Sequence, residues 1–398
     1  MTRRSLLIVT LPPFRGGVPA KASILARHLR RLGWDITIAY YATLSEHPDL
    51  VVPSWRLLSG ARPQSREGTC WDGFRCQAVG CRLPELEAPY TSPSPTWRAL
   101  VKSHHRHIAI GGTPLVGNIL VECGVPHLLW CAAPVDGDRQ DRVGVMSWPR
   151  QMLDRLVVRP MLLRQQSRVL ASPLSTVMGV SRYTCRTLAE LGCTAPHLLP
   201  IPTDSERFAP PETAASPGVI GFAGRLDDPR KRVKLLLAAM AVLVERGLPV
   251  RLRLAGEATG ELPALAERLG LSQVVEFVGH VAEESLPAFY QGLDVFALPS
   301  AQEGLGIVGV EAMACGVPVV ATARGCGPDD YVIDGVTGWF AEADAQSLAE
   351  SLASVIGDRS RRFSMFAAAR ALAVERFGHD AFARLLAENW QRRWGEAP

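Results

Sequence analysis

Between Val295 and Ala323 the chain reads VFALPSAQEGLGIVGVEAMACGVPVVATA, and this stretch constrains the fold most tightly. Its four opening apolar residues, Val295 to Leu298, are cut off by Pro299 and Ser300, as in a buried parallel strand that ends at a site. A glycine-spaced turn, Glu303-Gly304-Leu305-Gly306, leads into an apolar helical segment that reaches Cys315. Gly316 and Pro318 stop that helix, and a second buried run, Val317 to Ala323, follows. A strand–loop–helix–strand unit of this kind offers unpaired amides at the helix N-terminus, where an anion can sit.

Two carboxylates, Glu303 and Glu311, stand eight residues apart across the turn. On one helix they would lie about 12 Å apart along its axis. A glycosidase pair needs roughly 5 to 9.5 Å, and metal-binding pairs on a helix need an i, i+3 or i, i+4 relation. One long ligand with hydroxyls at two places suits the spacing better. The alternative is that Glu303 caps the helix and Glu311 is solvated.

The rest of the second half repeats the alternation. Strands are expected at Val219–Ala223, Val250–Ala255, Val274–Gly279, Val295–Leu298 and Val317–Ala321, with helices near 233–245, 261–270, 285–292 and 307–315. Strands alternating with helices mean a parallel sheet covered on both faces. The first half opens the same way, with a strand from Ser5, a loop Phe14-Arg-Gly16-Gly17-Val, a helix Ala20–Leu32 and a strand Asp35–Tyr41. A dinucleotide fingerprint is missing, because Gly16-Gly17 lacks the G-x-G-x-x-G spacing and the second strand ends in Tyr40-Tyr41. Two glycines still allow close backbone approach to a phosphate or sugar, or simply form a tight turn.

Residues 44–100 are rich in Arg, Pro and Ser and read as a loop or lid. A strand from Val125 to Ala133 ends at Asp136 and Asp138, which face either a ligand or an ordinary turn. Thr176–Ser181 reads as the last strand of this half. Six prolines between Thr194 and Gly218 mark a linker. The expected division is therefore a first domain over 1–200, a linker over 201–217, a second domain over 218–375 and a closing helix over 376–398. Two such domains place the natural ligand site in the crevice between them.

A length of 398 residues fits two cores, and the net charge of +4 is too diffuse for nucleic acid. Nine cysteines, odd in number and without a signal peptide, suit a reducing cytoplasm. Cys70, Cys76 and Cys81 lack zinc spacing, while His104, His105 and His107 leave a metal cluster or solvated residues open. No window is apolar enough to span a membrane. Arginines at 150, 155, 159, 164 and 168 give Trp148–Ala171 a basic amphipathic character. Such a helix either touches an anionic membrane surface peripherally or packs inside and snorkels its arginines.

The loop Gly224-Arg225-Leu-Asp-Asp-Pro-Arg230-Lys231-Arg232 ends one strand and opens a helix. Arg225 offers a planar fork and Lys231 a point charge to phosphate oxygens, unless this is only a basic surface turn. Together with Glu303, Glu311 and the amides of Gly304, Leu305, Gly306, Ile307 and Val308, these groups suit a sugar carried on a nucleotide diphosphate.

The second half resembles the family 4 glycosyltransferases, which have the GT-B fold. The resemblance rests on Gly224-Arg225…Lys231, on Ser300–Thr322, on Asp334-Gly-Val-Thr-Gly-Trp, on VSRYTCRTLAELG from Val180 and on LPIPTDSERFAP from Leu199. It implies an α/β protein of two Rossmann-like, doubly wound domains facing a central cleft, with a C-terminal helix returning to the acceptor-binding first domain. It also implies that Glu303 binds donor-sugar hydroxyls, Glu311 the ribose, and Arg225 and Lys231 the diphosphate, with Gly16 and Gly17 near phosphate and acceptor. One residue more than usual separates Arg225 from Lys231, so Arg230 rivals the lysine. The implied activity is retaining transfer from a UDP- or GDP-sugar to a small-molecule, glycan or lipid-precursor acceptor, forming an O-, N- or S-glycosidic bond, with no cofactor and no metal required. The family's first-domain histidine is missing at Ala132-Ala133, which leaves His127 or Asp136 as acceptor-side candidates. Asp329 and Asp330 stand where relatives carry a Gly-Gly-x-x-Glu pattern. A nucleotide-sugar epimerase or phosphorylase on the same fold, or a non-catalytic nucleotide-sugar-binding protein, are the rival readings.

Overall fold

A computed structural model of the chain describes residues 4–12, 17–137, 139, 146–211 and 218–398. Its contacts divide into two units, Met1–Leu199 with Arg384–Pro398, and Pro200–Ala383.

The first unit holds β1 (Ser5–Thr10), β2 (Asp35–Tyr41), β3 (Ser65–Cys70), β4 (Phe74–Val79), β5 (Arg106–Ile110), β6 (His127–Cys131), β7 (Ser175–Gly179) and β8 (His197–Leu198). They form one sheet in the order β3-β4-β2-β1-β5-β6-β7-β8, parallel except for the β3–β4 pair. Leu6 to Val9 of β1 are fully buried, which is why this apolar run lies in mid-sheet. The chain leaves β1 towards β2 and returns to its other side as β5, in the registers Ser5↔Asp35 and Leu6↔Arg106. The C-terminal ends of β1 and β5 therefore form a topological switch point, where open α/β sheets bind ligands.

Two sequence expectations need correction here. Residues 44–100 are not simply a loop or lid, because they contain the β3–β4 hairpin. The strand β3, SREGTC, is exposed along almost its whole length and pairs through its backbone at the sheet edge, so it carries no apolar alternation to read. Nor is the strand near Thr176 the last, since the two-residue β8 follows it, too short to signal itself in the proline-rich stretch. The helix expected from Ala20 spans Gly17–Arg31, with Gly17 as its first residue. Gly16, the rest of the loop from Phe14, Asp138 and residues 212–217 of the expected linker lie outside the described residues.

The second unit holds β9 (Val219–Ala223), β10 (Arg251–Ala255), β11 (Val275–Gly279), β12 (Val295–Leu298), β13 (Val319–Ala321) and β14 (Gly338–Phe340) in the order β11-β10-β9-β12-β13-β14, all parallel. Helices Val233–Glu245 and Ala345–Ile356 pack over the sheet, burying Leu236, Leu237, Leu243, Leu348 and Leu352 against Leu252 and Val295. Here the switch point lies between β9 and β12, which pair at Val295↔Ile220 and Phe296↔Gly221. The final helix, His379–Trp394, begins in the second unit, and its last turns belong to the first. There Trp390 is fully buried against Trp34, with ring centroids 5.0 Å apart, and Arg393 donates to Thr176 Oγ1 at 2.8 Å.

Candidate functional site

In the second unit the two loops singled out by sequence leave β9 and β12, so the switch point brings them together. The amide of Ala301 donates to the carbonyl of Arg230 at 2.7 Å, locking one loop to the other. Lys231 Nζ then reaches Glu303 Oε1 at 2.5 Å, and Ser300 Oγ donates to the same oxygen at 2.6 Å. Both members are shielded, with side chains 20% and 11% exposed, so the pair lies in a lower dielectric than a surface bridge. Glu303 therefore does not cap the helix. That helix, Ile307–Ala314, begins after Gly306, which has φ 78° and supplies no side-chain cap.

Gly306 is needed both for that left-handed turn and for space: a Cβ there would stand 2.7 Å from the hydroxyl of the buried Tyr331. The Tyr331 hydroxyl donates to the Gly306 carbonyl at 3.1 Å and presses so closely on Gly309 that a Cβ there would meet it at 2.6 Å. At the far end of the helix Arg370 donates to the carbonyls of Ala314, Phe208 and Ser205 at 2.6, 2.5 and 2.7 Å, placing a cation at the negative pole.

Glu311 is half-buried rather than solvated, and Tyr290 donates its hydroxyl to Oε2 at 2.9 Å. Burial pushes the Glu311 carboxyl up to about 7, against the opposing pull of the Tyr290 hydrogen bond. Arg225, 74% exposed, turns to Asp228 at 2.7 Å, and Arg230 shares that carboxylate at 2.9 Å. Burial resists ionisation of Asp228, but the Arg230 hydrogen bonds and the Arg225 charge hold its carboxyl below its usual range. It is thus Lys231, not the rival Arg230, that meets Glu303. Asp329 accepts the amide of Gly325 at 3.0 Å within its own turn. Gly327 donates to the Glu303 carbonyl at 3.0 Å.

The first unit carries a cavity of about 680 Å³ at its own switch point, lined by Leu11 after β1, Tyr41 at the end of β2 and Gly111 after β5. Its outer wall is the 3₁₀ segment around Glu85, Glu87 and Tyr90, with Arg139 and Arg150 behind. Arg139, only 4% exposed, bonds Glu87 at 2.6 Å and also Asp154, while Arg150 reaches Glu87 at 3.2 Å. Sequence reasoning missed this wall, because its ion pairs join residues 52 and 63 positions apart. Beneath the cavity Lys21 is buried, its Nζ donating to the Gly111 carbonyl at 2.7 Å and standing 5.2 Å from the Trp130 ring centroid.

The acceptor-side candidates do not gather there. His127 opens β6 at its N-terminal end, fully buried, with Nδ1 2.9 Å from the Val125 carbonyl and Nε2 3.1 Å from Ser175 Oγ. Burial pulls its imidazole down to about 4, so it sits as a neutral strand-entry residue away from the C-terminal strand ends. Asp136 is engaged by Arg159 through both oxygens at 2.8 Å. His104, His105 and His107 each bond a different neighbour, respectively the Leu100 carbonyl, Ser5 and the Val101 carbonyl. Among the described residues no group of three or more His, Cys, Asp or Glu could hold a metal ion, and no helix is long and apolar enough to cross a membrane.

The profile of the family described as glycosyl transferases group 1 matches residues 204–372, within the second unit. A D-inositol 3-phosphate glycosyltransferase of Corynebacterium urealyticum is 40% identical over 157 residues, covering 37% of each chain. The enzyme of the same name from Segniliparus rotundus is 29% identical over 351 residues, covering 82% of this chain and 74% of that one. The chain thus spans little more than a third of the length of the first relative and about three quarters of the second. Among solved structures, a sucrose-phosphate synthase from Thermosynechococcus elongatus superimposes with a TM-score of 0.73 at 20% identity, over 99% of this chain and 100% of that one. Anabaena Alr3699/HepE in complex with UDP-glucose gives 0.71 at 19% identity, over 98% and 99%. The second unit is thus similar to the glycosyl transferases group 1, and the chain has the GT-B type of fold, with two Rossmann-like α/β units.

Proposed function

We propose that the chain transfers a sugar from a nucleotide diphosphate sugar, UDP- or GDP-linked, to an acceptor, with retention at the anomeric carbon. The observation that carries this reading is the shielded Lys231–Glu303 pair at the switch point of the second unit. Glu303 stands as the counter-ion of Lys231 until a diphosphate arrives; the ammonium then faces phosphate oxygens, and the carboxylate accepts hydrogen bonds from sugar hydroxyls. Arg225, exposed on its loop end, swings from Asp228 to the same diphosphate. The N-terminus of the helix Ile307–Ala314 adds positive potential, and Glu311 takes the ribose hydroxyls. As the bond to the sugar breaks, charge grows on the departing diphosphate, and two cations placed in advance lower that barrier. The leaving diphosphate is itself the base that deprotonates the acceptor. These cations do the charge-neutralising work, so the mechanism needs no metal. The UDP-glucose complex of the structural relative supports the donor class.

Peripheral membrane contact belongs to the same reading. Along the helical stretch from Trp148, exposed Trp148, Met152 and Leu156 follow one another at intervals of four, beside exposed Arg155. The turn Ser54–Ser59 exposes Trp55 and Leu58, and both elements are tied to Glu85, through Ser54 at 2.8 Å and Arg150 at 2.7 Å. Aromatic and aliphatic tips with a basic fringe suit an anionic interface. Trp148→Ser with Leu156→Ser is expected to lower co-sedimentation with anionic vesicles several-fold. Unchanged binding, or none by the wild type, removes this surface.

The central test incubates the protein with UDP-, GDP- and ADP-sugars and measures nucleotide release with and without acceptor pools. Glu303→Ala is expected to lower turnover at least about a hundred-fold with the fold intact. Near wild-type transfer by that variant defeats the assignment.

A further inference from the structure

We infer that the cavity of the first unit takes an uncharged, hydroxyl-bearing acceptor with an apolar face, and not a phosphate ester; this rests on the sugar-transfer reading above. The charged side chains on its wall balance: Glu85 and Glu87 face Arg139 and Arg150. Both arginines are committed, Arg139 to Glu87 and Asp154, Arg150 to Glu87 and to the Glu85 carbonyl. A phosphate would have to draw these guanidinium groups away from buried Asp154 and part-buried Glu87, leaving those charges uncompensated, and would face Glu85 and Glu87 while doing so. The wall is thus poor ground for a dianion, although it contains two arginines.

Two polar atoms of side chains on that wall, both shielded from solvent, have no hydrogen-bond partner among the described residues. Glu85 Oε1 accepts from both the amide and the hydroxyl of Ser54, at 2.8 and 3.0 Å, while its Oε2 is buried without a hydrogen-bond partner. Arg139 Nε is likewise buried and unpartnered, on a side chain otherwise held at both ends of its fork. The first atom lacks a donor and the second an acceptor. A hydroxyl supplies either, and a polyol supplies both without bringing charge.

Thr43, Ser45, Thr91 and Thr113 also line the cavity, and the rest of its surface is apolar. Tyr41 and Tyr90 stack with ring centroids 5.2 Å apart and planes inclined by 22°, and the Tyr90 hydroxyl is fixed by the amide of Leu44 at 3.1 Å. Leu115, Val116 and Leu162 continue the wall. Stacked rings and aliphatic tips cover a carbon-rich face, and a small turn of the Glu85 and Arg139 side chains brings the two shielded atoms to the ligand's hydroxyls, fixing its orientation.

The test uses the full chain with two probes, octyl β-D-glucoside below its micelle-forming concentration and inositol 3-phosphate, followed by isothermal titration. The glucoside is expected to bind, and inositol 3-phosphate at least about ten-fold more weakly, as befits one uncompensated charge contact. Glu85→Gln, which exchanges the ionised acceptor for a neutral amide, is expected to weaken glucoside binding by about ten-fold. Leu115→Trp fills the cavity without touching the ion pairs and is expected to abolish binding at an unchanged melting temperature, which keeps the test decisive if Glu85→Gln fails to fold. Inositol 3-phosphate binding as tightly as the glucoside, no glucoside binding by the wild type, or glucoside binding indifferent to Leu115→Trp each overturn the proposal. A wild type that takes the glucoside but no nucleotide sugar in a parallel titration overturns it through the transfer reading instead, and the persisting glucoside signal tells the two failures apart.

Discussion

Glu311→Gln isolates the proton chemistry of the proposed ribose contact. In the folded chain the Glu311 carboxyl titrates near 7, against a usual value of 4.5, because burial disfavours the charged form. The folded state therefore binds this proton more tightly than the unfolded state. Stability linked to it is fully present below about pH 4.5 and is lost as the pH rises through about 7. At about 1.4 kcal/mol per pKa unit, this amounts to about 2.5 kcal/mol between pH 5 and pH 8. The glutamine is isosteric and still accepts from the Tyr290 hydroxyl, so it keeps the packing and removes the titration. Relative to wild type, the variant is expected to gain about 2.5 kcal/mol on going from pH 5 to pH 8, roughly 5 to 10 °C in melting temperature for a unit of this size. Scanning calorimetry of both proteins over that range measures the difference directly, with other carboxylates cancelling in the comparison. A difference that stays flat with pH, or one that favours the wild type at pH 8, would falsify this account of the carboxyl. A companion effect follows in binding. Ribose hydroxyls prefer the ionised acceptor, so nucleotide-sugar affinity of the wild type should rise through pH 7 and be accompanied by proton release, which Glu311→Gln abolishes.

Two further substitutions probe the framework. Lys21 is 1% exposed, and burial pulls its ammonium down to about 8 from 10.5, so stability is lost as the pH falls through that window. Lys21→Met removes a penalty of about 3 kcal/mol at pH 7 and loses the hydrogen bonds to the Gly111 and Trp130 carbonyls, which offsets about 1 kcal/mol, so it is expected to stabilise the protein by about 2 kcal/mol, with the gain shrinking towards pH 10; denaturant unfolding at both values decides, and a destabilised variant at pH 7 contradicts it. Tyr331→Phe removes the bond to the Gly306 carbonyl at a fully buried site and is expected to cost about 1 kcal/mol. The loosened turn should also weaken nucleotide-sugar binding, so a titration unchanged from wild type denies Tyr331 that buttressing role.

The second unit was readable because its inner strands are buried on both faces, and runs such as Val295–Leu298 leave no other reading. Lys231 and Glu303 were found by chemistry and spacing, and they meet because β9 and β12 are neighbours in the sheet, an adjacency that chain order does not state. What escaped shares one cause. Tyr290, Tyr331 and Arg370 act on the site helix from elsewhere in the chain, and each looks like an ordinary core or surface residue in its own segment. Lys21 lies in an amphipathic helix with a basic last turn, where a lysine reads as solvated; only the packed Gly111 and Trp130 carbonyls reveal its burial. His127, offered with Asp136 in place of the histidine that the family resemblance leads one to expect, lies buried at the N-terminal end of β6, a placement that the sequence does not state.

The border strand β3 has a consequence beyond its own unit. Its outer rim offers unsatisfied main-chain donors and acceptors, the feature by which polypeptides zip into aggregates. Arg66 and Glu67 stand on that rim, Arg66 held by Asp49, and almost no greasy surface accompanies them. A neighbouring molecule approaching side-on would have to desolvate those charges for little apolar gain. The very blandness that hid this strand from pattern reading works against separate copies of the chain joining along it.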